Sequence, residues 1–261
     1  MTDICVLSPE YVKSKQLKVK STKTRKHRVK KYVYDPSKPQ VIPKHIYQVW
    51  HDIDYMPLCV RQSIETLKQQ NPEFEHHLYD EPKCREYIRT NFSKQILNAF
   101  DKVVPHALKA DLWRYCIIYK NGGIYVDSKY YGINGFKFIH LIDKEYFCNG
   151  LDTIYGVYNA IFICKPHNPI LLKIINQFVK NTENKYYGSN ELCIGPLMIQ
   201  NFFNPQELKL FKLKLERINK KHKYITFNNY RILKYNEQYA VSKKIKGTHW
   251  TKYWYNKTLY N

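Results

Sequence analysis

The chain has 261 residues, 44% hydrophobic and 15% aromatic, with 24 Tyr and only 9 Gly, a composition that supports a packed core and excludes a wholly disordered or collagen-like protein. Its formal charge of +21 favours polyanions, anionic membrane surfaces or phosphate-bearing substrates as partners. The seven cysteines form no C-x-x-C pair, which argues against a zinc ribbon or a complete disulfide framework. With no apolar run near 18 residues and no signal-peptide-like start, the expectation is a cytoplasmic chain without a membrane anchor and with reduced thiols.

Between Lys13 and Lys31 stand ten Lys or Arg residues and no acid, so residues 1–38 are expected to form a basic arm, loosely docked at most. Such an arm serves either as a solubilising tail or as a tether to nucleic acid or anionic lipid. Pro36, Pro39 and Pro43 mark the entry to a single folded domain spanning residues 39–261. His45 to Trp50 alternates as a strand does, and Val60 to Gln70 forms a helix stopped by Asn71-Pro72. Phe74 to Tyr79 reads as a second strand and Glu81 to Phe100 as one or two helices with a possible break at Asn91-Phe92-Ser93.

From His106 to Lys120, Leu108, Leu112, Tyr115, Cys116 and Tyr119 recur at helical spacing, and Asn121-Gly122-Gly123 ends the helix. The short strand Ile124-Tyr125-Val126 then delivers Asp127 at its carboxyl end, where open α/β sheets bind ligands. Further strands are expected at Glu145 to Asn149 and Ala160 to Cys164, and helices at Pro169 to Asn181 and around Pro196 to Phe203. Lys209 to Lys223 is lysine-rich and amphipathic, Tyr224 to Phe227 and Tyr239 to Ser242 suit short strands, and the chain closes on an aromatic string from His249 to Tyr255. Strands alternating with helices predict an α/β fold.

Asp111, Arg114 and Tyr115 share one helix face at i, i+3 and i+4 spacing, a pattern that elsewhere is an ordinary surface ion pair. Here that face leads into a glycine turn and a strand-end carboxylate. If the extended backbone continues past Val126, Tyr125, Asp127 and Lys129 point to one side, the last two roughly 6 to 7 Å apart. A carboxylate for hydroxyls, a cation for a diphosphate and an aromatic face are the groups that a nucleoside diphosphate sugar needs.

The run Ala110-Asp111-Leu112-Trp113-Arg114-Tyr115 followed by Tyr119-Lys120-Asn121-Gly122-Gly123-Ile124-Tyr125-Val126-Asp127 resembles the A-D-x-x-R-Y…Y-x-x-G-G-x-Y-x-D signature of the DXD sugar-binding glycosyltransferases. That is the mannosyltransferase and capsular-polysaccharide synthesis family, related to the glucosylating clostridial toxins. Ile42-Pro43-Lys44-His45-Ile46-Tyr47-Gln48-Val49-Trp50 is similar to the family's opening strand, Asn71-Pro72-Glu73-Phe74 to its N-P-x-[YF] step, and Asn159-Ala160-Ile161-Phe162 with Asn168-Pro169 to its N-A-F strand and following helix start. The resemblance covers roughly Val41 to Phe203, with an echo of the terminal H…S-W in His249 and Trp254.

The resemblance implies a GT-A-type, Rossmann-like nucleotide-sugar-binding fold with a mixed central sheet and helical additions. It implies a hexosyltransferase that moves a sugar from a UDP-sugar or GDP-sugar to a glycan or glycoprotein acceptor with retention. Carried over by position, it makes Trp50 stack on the donor base with Gln48 lining the same pocket. Asp111 and Arg114 then hold sugar hydroxyls and the diphosphate, and Asp127 holds ribose and sugar hydroxyls beside the metal. Gly122, Gly123, Tyr125 and Asn159 join the donor site, and Trp254 closes over the phosphates. The composition and the D-x-K variant are more similar to bacterial or giant-virus members, which implies host cytoplasm or a virus particle as the location.

One departure matters. The second carboxylate of D-x-D, which in the family ligates Mn2+ or Mg2+, is Lys129 here. Either Lys129 itself neutralises the leaving diphosphate, or it points away and Asp127 with His249 keeps a weak metal site. Two other readings stand beside the transferase: a catalytically inactive sugar- or polyanion-binding relative, and a nucleic-acid-binding protein using the excess charge and tyrosines. The latter lacks any helix-turn-helix, zinc-finger or RRM signature.

Overall fold

The structure, a computed structural model, describes residues 35–150, 156–188, 195–218, 222–239 and 250–261. Strand β1 (His45–Val49) pairs in parallel with β2 (Glu75–Tyr79) after crossing over through helix α1 (Leu58–Gln70). Helices α2 (Glu81–Asn91), α3 (Lys94–Lys102) and α4 (His106–Asn121) lead to β3 (Gly123–Val126), which joins the opposite side of β1, again in parallel. The break between α2 and α3 falls at Phe92-Ser93, within the expected segment.

The remaining strands are β4 (Tyr130–Gly132), β5 (Tyr146–Asn149), β6 (Val157–Cys164), β7 (Leu213–Arg217), β8 (Lys223–Phe227) and β9 (Tyr230–Tyr235). Helices α5 (Pro169–Glu183), α6 (Pro196–Gln200), α7 (Pro205–Leu210) and α8 (Trp250–Tyr255), with a short 3-10 helix at Phe138–Leu141, complete the described elements. The strands form one mixed sheet in the order β2-β1-β3-β6-β5-β7-β8-β9-β4. In a flat sheet β3 and β4 would lie roughly 29 Å apart at about 4.8 Å per strand, yet only Asp127, Ser128 and Lys129 join them, a link of about 15 Å at most. The sheet therefore curls, and the turn at Asp127–Lys129 spans the mouth of the curl.

Alternation along the strands divides the interior in two. Tyr125 of β3 with Phe162 and Cys164 of β6 faces the helices, packing with Trp113, Cys116 and Ile117 of α4 and with Ile174, Ile175 and Phe178 of α5. Ile124, Val126, Ile161 and Ile163 face inside the curl with Leu213, Ile225 and Leu233. Helix α4 is buried almost all round, so Trp113 and Ile117 extend the core beyond the single apolar stripe of its sequence. Asn168 caps α5 by accepting from the N–H groups of Ile170 and Leu171 at 2.9 and 3.1 Å, with Pro169 in the first turn. Cys84, Cys116, Cys148 and Cys164 are buried free thiols.

Three strands were not foreseen. Strand β4 is only three residues long, β7 lies inside the lysine-rich stretch 209–223, and β9 has charged residues at Arg231 and Lys234. Tyr239, expected in a strand, instead lies in a helical turn, while residues 240–242 and the arm of residues 1–34 lie outside the described residues. No described helix is long and apolar enough to cross a membrane.

Candidate active site

At the carboxyl ends of β1 and β3, between them and the first turn of α4, lies a pocket of about 290 Å³. Its walls include Trp50, His51, Glu81, His106, Lys109, Asp111, Arg114, Tyr125, Asp127, Lys129, Asn159 and Tyr239. Arg114 is the hub. Its Nε donates to the carbonyl of Ala110 at 3.2 Å and its Nη1 to the carbonyl of Asn159 at 2.7 Å. Nη1 also lies 3.1 Å from Asp127 Oδ1, and Nη2 lies 3.1 Å from Asp111 Oδ1. Beneath it, the Tyr125 ring sits 4.4 Å from the guanidinium carbon and the Tyr125 hydroxyl donates to Asp127 at 2.7 Å. Asn159 Nδ2 donates to Asp111 Oδ1 at 3.1 Å and to the Tyr115 hydroxyl at 3.2 Å.

The backbone leaves the extended conformation after Val126, and the Tyr130 N–H closes a turn onto the Asp127 carbonyl at 2.9 Å. Ser128 is tied to the Val49 carbonyl at 2.9 Å. This turn swings Lys129 back onto Asp127, with Nζ 3.2 Å from Oδ2. Burial alone would raise the pKa of Asp127, but Lys129, Arg114 and the Tyr125 hydroxyl bring it below the usual value. Burial alone would lower that of Lys129, but Asp127 and the surrounding tyrosines raise it, so both groups are charged at neutral pH. Side-chain exposure is 28% for Lys129 against 7% for Arg114, so the ammonium is the more open cation of the pair.

On the rim, Glu81 is bound by Lys109 at 2.7 Å and by His106. Burial alone would raise the Glu81 pKa, but hydrogen bonds from His106 and Lys109 outweigh it and hold it at about 2. His51 stacks on His106 with ring centroids 4.9 Å apart. Burial and the neighbouring His106 lower its pKa, which keeps it neutral at pH 7.

The sequence matches the family described as capsular polysaccharide synthesis protein over residues 8–259. The chain belongs to that family. Similar curated proteins include an uncharacterized glycosyltransferase of Acanthamoeba polyphaga mimivirus, 28% identical over 55% of this chain and 58% of the relative. Another is inositol phosphoceramide mannosyltransferase 2 of Schizosaccharomyces pombe, 28% identical over 63% of this chain and 47% of the relative. A third is the initiation-specific alpha-1,6-mannosyltransferase of Candida albicans, 30% identical over 39% of this chain and 27% of the relative. The chain thus spans about half, or less, of the length of these relatives. Among solved structures, the PaToxG glycosyltransferase superposes with a TM-score of 0.50 over 62% of this chain and 68% of its own, at 16% identity. The shared fold is the GT-A type.

Within this capsular polysaccharide synthesis family member, the structure gathers Asp111, Arg114, Tyr125, Asp127, Lys129, Asn159 and Trp50 at one pocket. Several roles differ from those the sequence suggested. Two backbone carbonyls and two carboxylates surround the guanidinium of Arg114, so it clamps Asp111 and Asp127 together. Tyr125 is fully buried with Arg114 over its ring, so it has no face for a base or sugar. Trp50 is 8% exposed and meets Tyr239 edge-on at 5.5 Å. It therefore offers little ring face, but its buried Nε1–H has no partner among the described residues.

Four other expected donor residues lie elsewhere. Gln48 is fully buried, its Oε1 accepting from His76 Nε2 at 2.7 Å, because alternation along β1 turns it from the helix-covered face that Tyr47 occupies. Gly122 and Gly123 sit at the opposite end of β3 from Asp127. There their missing side chains make room for Pro166 and for His45, each lying within 3.0 Å of where a Cβ would stand. Trp254 donates its Nε1–H to the Tyr187 carbonyl at 2.7 Å and packs against the core, outside the pocket. Lys129 does not point away from Asp127, as the metal-retaining alternative required, and His249 lies outside the described residues. The sequence reading missed His51, Glu81, His106, Lys109 and Tyr239. For His106 and Lys109 a signal existed, since they stand in the first turn of α4, the helix that carries Asp111 and Arg114.

Proposed function

We propose that the chain is a glycosyltransferase that takes a sugar from a nucleoside diphosphate donor, with Lys129 serving where relatives place a divalent cation. The observation that carries this is the chain of charges Asp111–Arg114–Asp127–Lys129 at the carboxyl end of β3, in which Lys129 is the most exposed of the four side chains. Glycosyl transfer needs a stabilised leaving diphosphate more than any other group. The Lys129 ammonium supplies positive charge, and the first turn of α4, uncapped by any side chain, adds the positive end of a helix dipole. The carboxylates, fixed by Arg114 and Asn159, suit hydroxyl groups of the ribose and sugar.

A divalent cation at Asp127 fits these residues poorly. Lys129 Nζ already holds Oδ2 at 3.2 Å, and a +2 ion roughly 4 Å from that ammonium would meet about 8 kcal/mol of repulsion at an effective dielectric near 20.

Retention is the outcome we expect, and the ion pairs support it. Glu81 and Asp127 are held in low-pKa pairs that make them weak bases, so the departing phosphate oxygen is the better proton acceptor. One observation favours a second reading: neutral His51 on the rim can serve as a general base in an inverting reaction. The anomeric configuration of the first-formed product, followed by NMR, separates the two.

The relatives named as mannosyltransferases make mannose the first sugar to test, and glycans, glycoproteins or inositol-bearing lipids the first acceptors. The experiment is a screen of UDP-, GDP- and dTDP-sugars for hydrolysis and for thermal stabilisation. One donor should be turned over and Asp127→Asn should abolish that turnover. Silence with every donor, together with salt-sensitive DNA binding, would overturn the proposal.

A further inference from the structure

At the amino-terminal ends of β1 and β2, the edge of the sheet opposite the pocket, a second cluster stands that the transfer reaction does not use. The parallel register sets His45 beside Glu75 and Tyr47 beside His77. Because side chains two apart share a face, all four project together. His45 Nδ1 lies 3.1 Å from His77 Nε2 and 3.3 Å from Glu75 Oε2, and His77 Nε2 lies 3.7 Å from Glu75 Oε1.

This convergence is crowded with lone pairs. No pair of neutral tautomers satisfies all three contacts: one proton between the rings leaves one ring nitrogen and Glu75 facing each other with lone pairs, and two protons aimed at Glu75 leave two N–H groups facing each other at 3.1 Å. A cation with several coordination positions satisfies all three. Ligands on a tetrahedral Zn2+ at about 2.0–2.1 Å are roughly 3.3 Å apart, so the two separations from His45 Nδ1 match within about 0.2 Å, and a rotation of the exposed Glu75 carboxylate, which meets the two imidazoles with different oxygens, completes the set.

The cluster is also braced. The Tyr47 ring stacks on His77 at 4.8 Å and 14°, and Asn121 Nδ2 donates to the Tyr47 hydroxyl at 3.3 Å. A Cβ on Gly123 would stand 3.3 Å from His45 Cβ and 3.2 Å from the Tyr47 ring, so this glycine makes room for the cluster. Orienting contacts of this kind are what fix metal-binding imidazoles. Glu75 is 66% exposed, His45 36% and His77 25%, which leaves a path for an ion and room for water as a fourth ligand.

We propose that His45, Glu75 and His77 form a binding site for a borderline divalent transition metal such as Zn2+, which clips β1 to the edge strand β2. Two imidazoles and one carboxylate suit this class better than Mg2+ or Ca2+, which prefer all-oxygen shells. The site lies one strand length, roughly 16 Å, from the donor pocket. Its role is to hold the strand that carries Trp50, not to take part in transfer.

The test is calorimetry and thermal melting of the full chain with ZnCl2. One ion should bind per chain, and the melting temperature should rise by about 5 °C at a hundredfold excess over Kd. Glu75→Gln, a near-isosteric change at an exposed position, should weaken binding at least tenfold, and His45→Gln with His77→Gln should abolish it. Asp127→Asn should leave it unchanged. Failure of the wild-type chain to take up Zn2+, retention of uptake in the double histidine variant, or its loss in Asp127→Asn would each overturn the assignment.

Discussion

Replacing Lys129 by Met removes one positive charge while keeping most of the side-chain volume. A diphosphate oxygen roughly 4 Å from the ammonium gains about 4 kcal/mol at an effective dielectric near 20. Because 28% of the Lys129 side chain is exposed, solvent screening reduces this to about 2–4 kcal/mol. At 1.36 kcal/mol per tenfold, kcat/KM for donor hydrolysis should fall about 30- to 1000-fold, and the melting temperature should fall as well, because buried Asp127 loses a partner. Lys129→Arg should recover part of the loss. Lys129→Asp rebuilds a D-x-D sequence and should be active only when Mn2+ is added. Steady-state release of nucleoside diphosphate, measured with EDTA or Mn2+ well below the melting temperature, reads all three variants. The reasoning fails if EDTA silences the wild-type enzyme at a temperature where it stays folded, or if Lys129→Met keeps activity within threefold.

Other expectations follow from the same geometry. Arg114→Lys cannot reach Ala110, Asn159, Asp111 and Asp127 at once, so two buried carboxylates lose their clamp. Stability should drop by about 3–5 kcal/mol and activity with it, whereas a diphosphate ligand would cost activity alone. Gly122→Ala places a Cβ 2.6 Å from Pro166 Cδ at a φ of +65°. Urea unfolding should show a loss of about 2 kcal/mol or more with an unchanged KM for the donor, and the reverse pattern would return this glycine to the donor site.

Glu81, whose folded pKa of about 2 lies below its ordinary 4.5, contributes stability that is present above pH 4.5 and lost as pH falls toward 2. Glu81→Gln should therefore be less stable by about 1–2 kcal/mol at pH 7, after allowance for the exposed His106 partner. The difference should vanish near pH 2; a gap that persists there would mean that packing, not charge, holds this corner.

Local patterns carried the first half of the fold. β1, β2 and β3 follow from short alternating runs, and α4 from apolar spacing closed by Gly122. The second half was less readable because its strands owe their place to long-range pairing. β4 is three residues long, and it is a strand only because the curl brings β9 alongside it. β7 carries Lys214 and Glu216 on its outer face and hides Leu213 and Leu215 inside, a pattern easily read as a solvated helix.

Residue types and spacing grouped Asp111, Arg114, Asp127 and Lys129, which do line one pocket, but did not show which way each points. Extrapolating the strand past Val126 left open whether Lys129 turns toward Asp127 or away from it, whereas the structure has its Nζ 3.2 Å from Asp127 Oδ2. Gln48 and Trp254 were placed by resemblance alone. Strand alternation for the first and a hydrogen bond to Tyr187 for the second put them elsewhere. His51 and Tyr239 reach the pocket from loops and turns far apart in sequence, and no periodicity marks them.

The most direct test of the central claim is a crystal structure of the chain with a bound, unreactive nucleoside diphosphate sugar, grown with Mn2+ and measured for its anomalous signal. The expected result is Lys129 Nζ within about 4 Å of a diphosphate oxygen and no Mn2+ peak at Asp127. A Mn2+ ion bridging Asp127 and the diphosphate, with Lys129 turned aside, would contradict it.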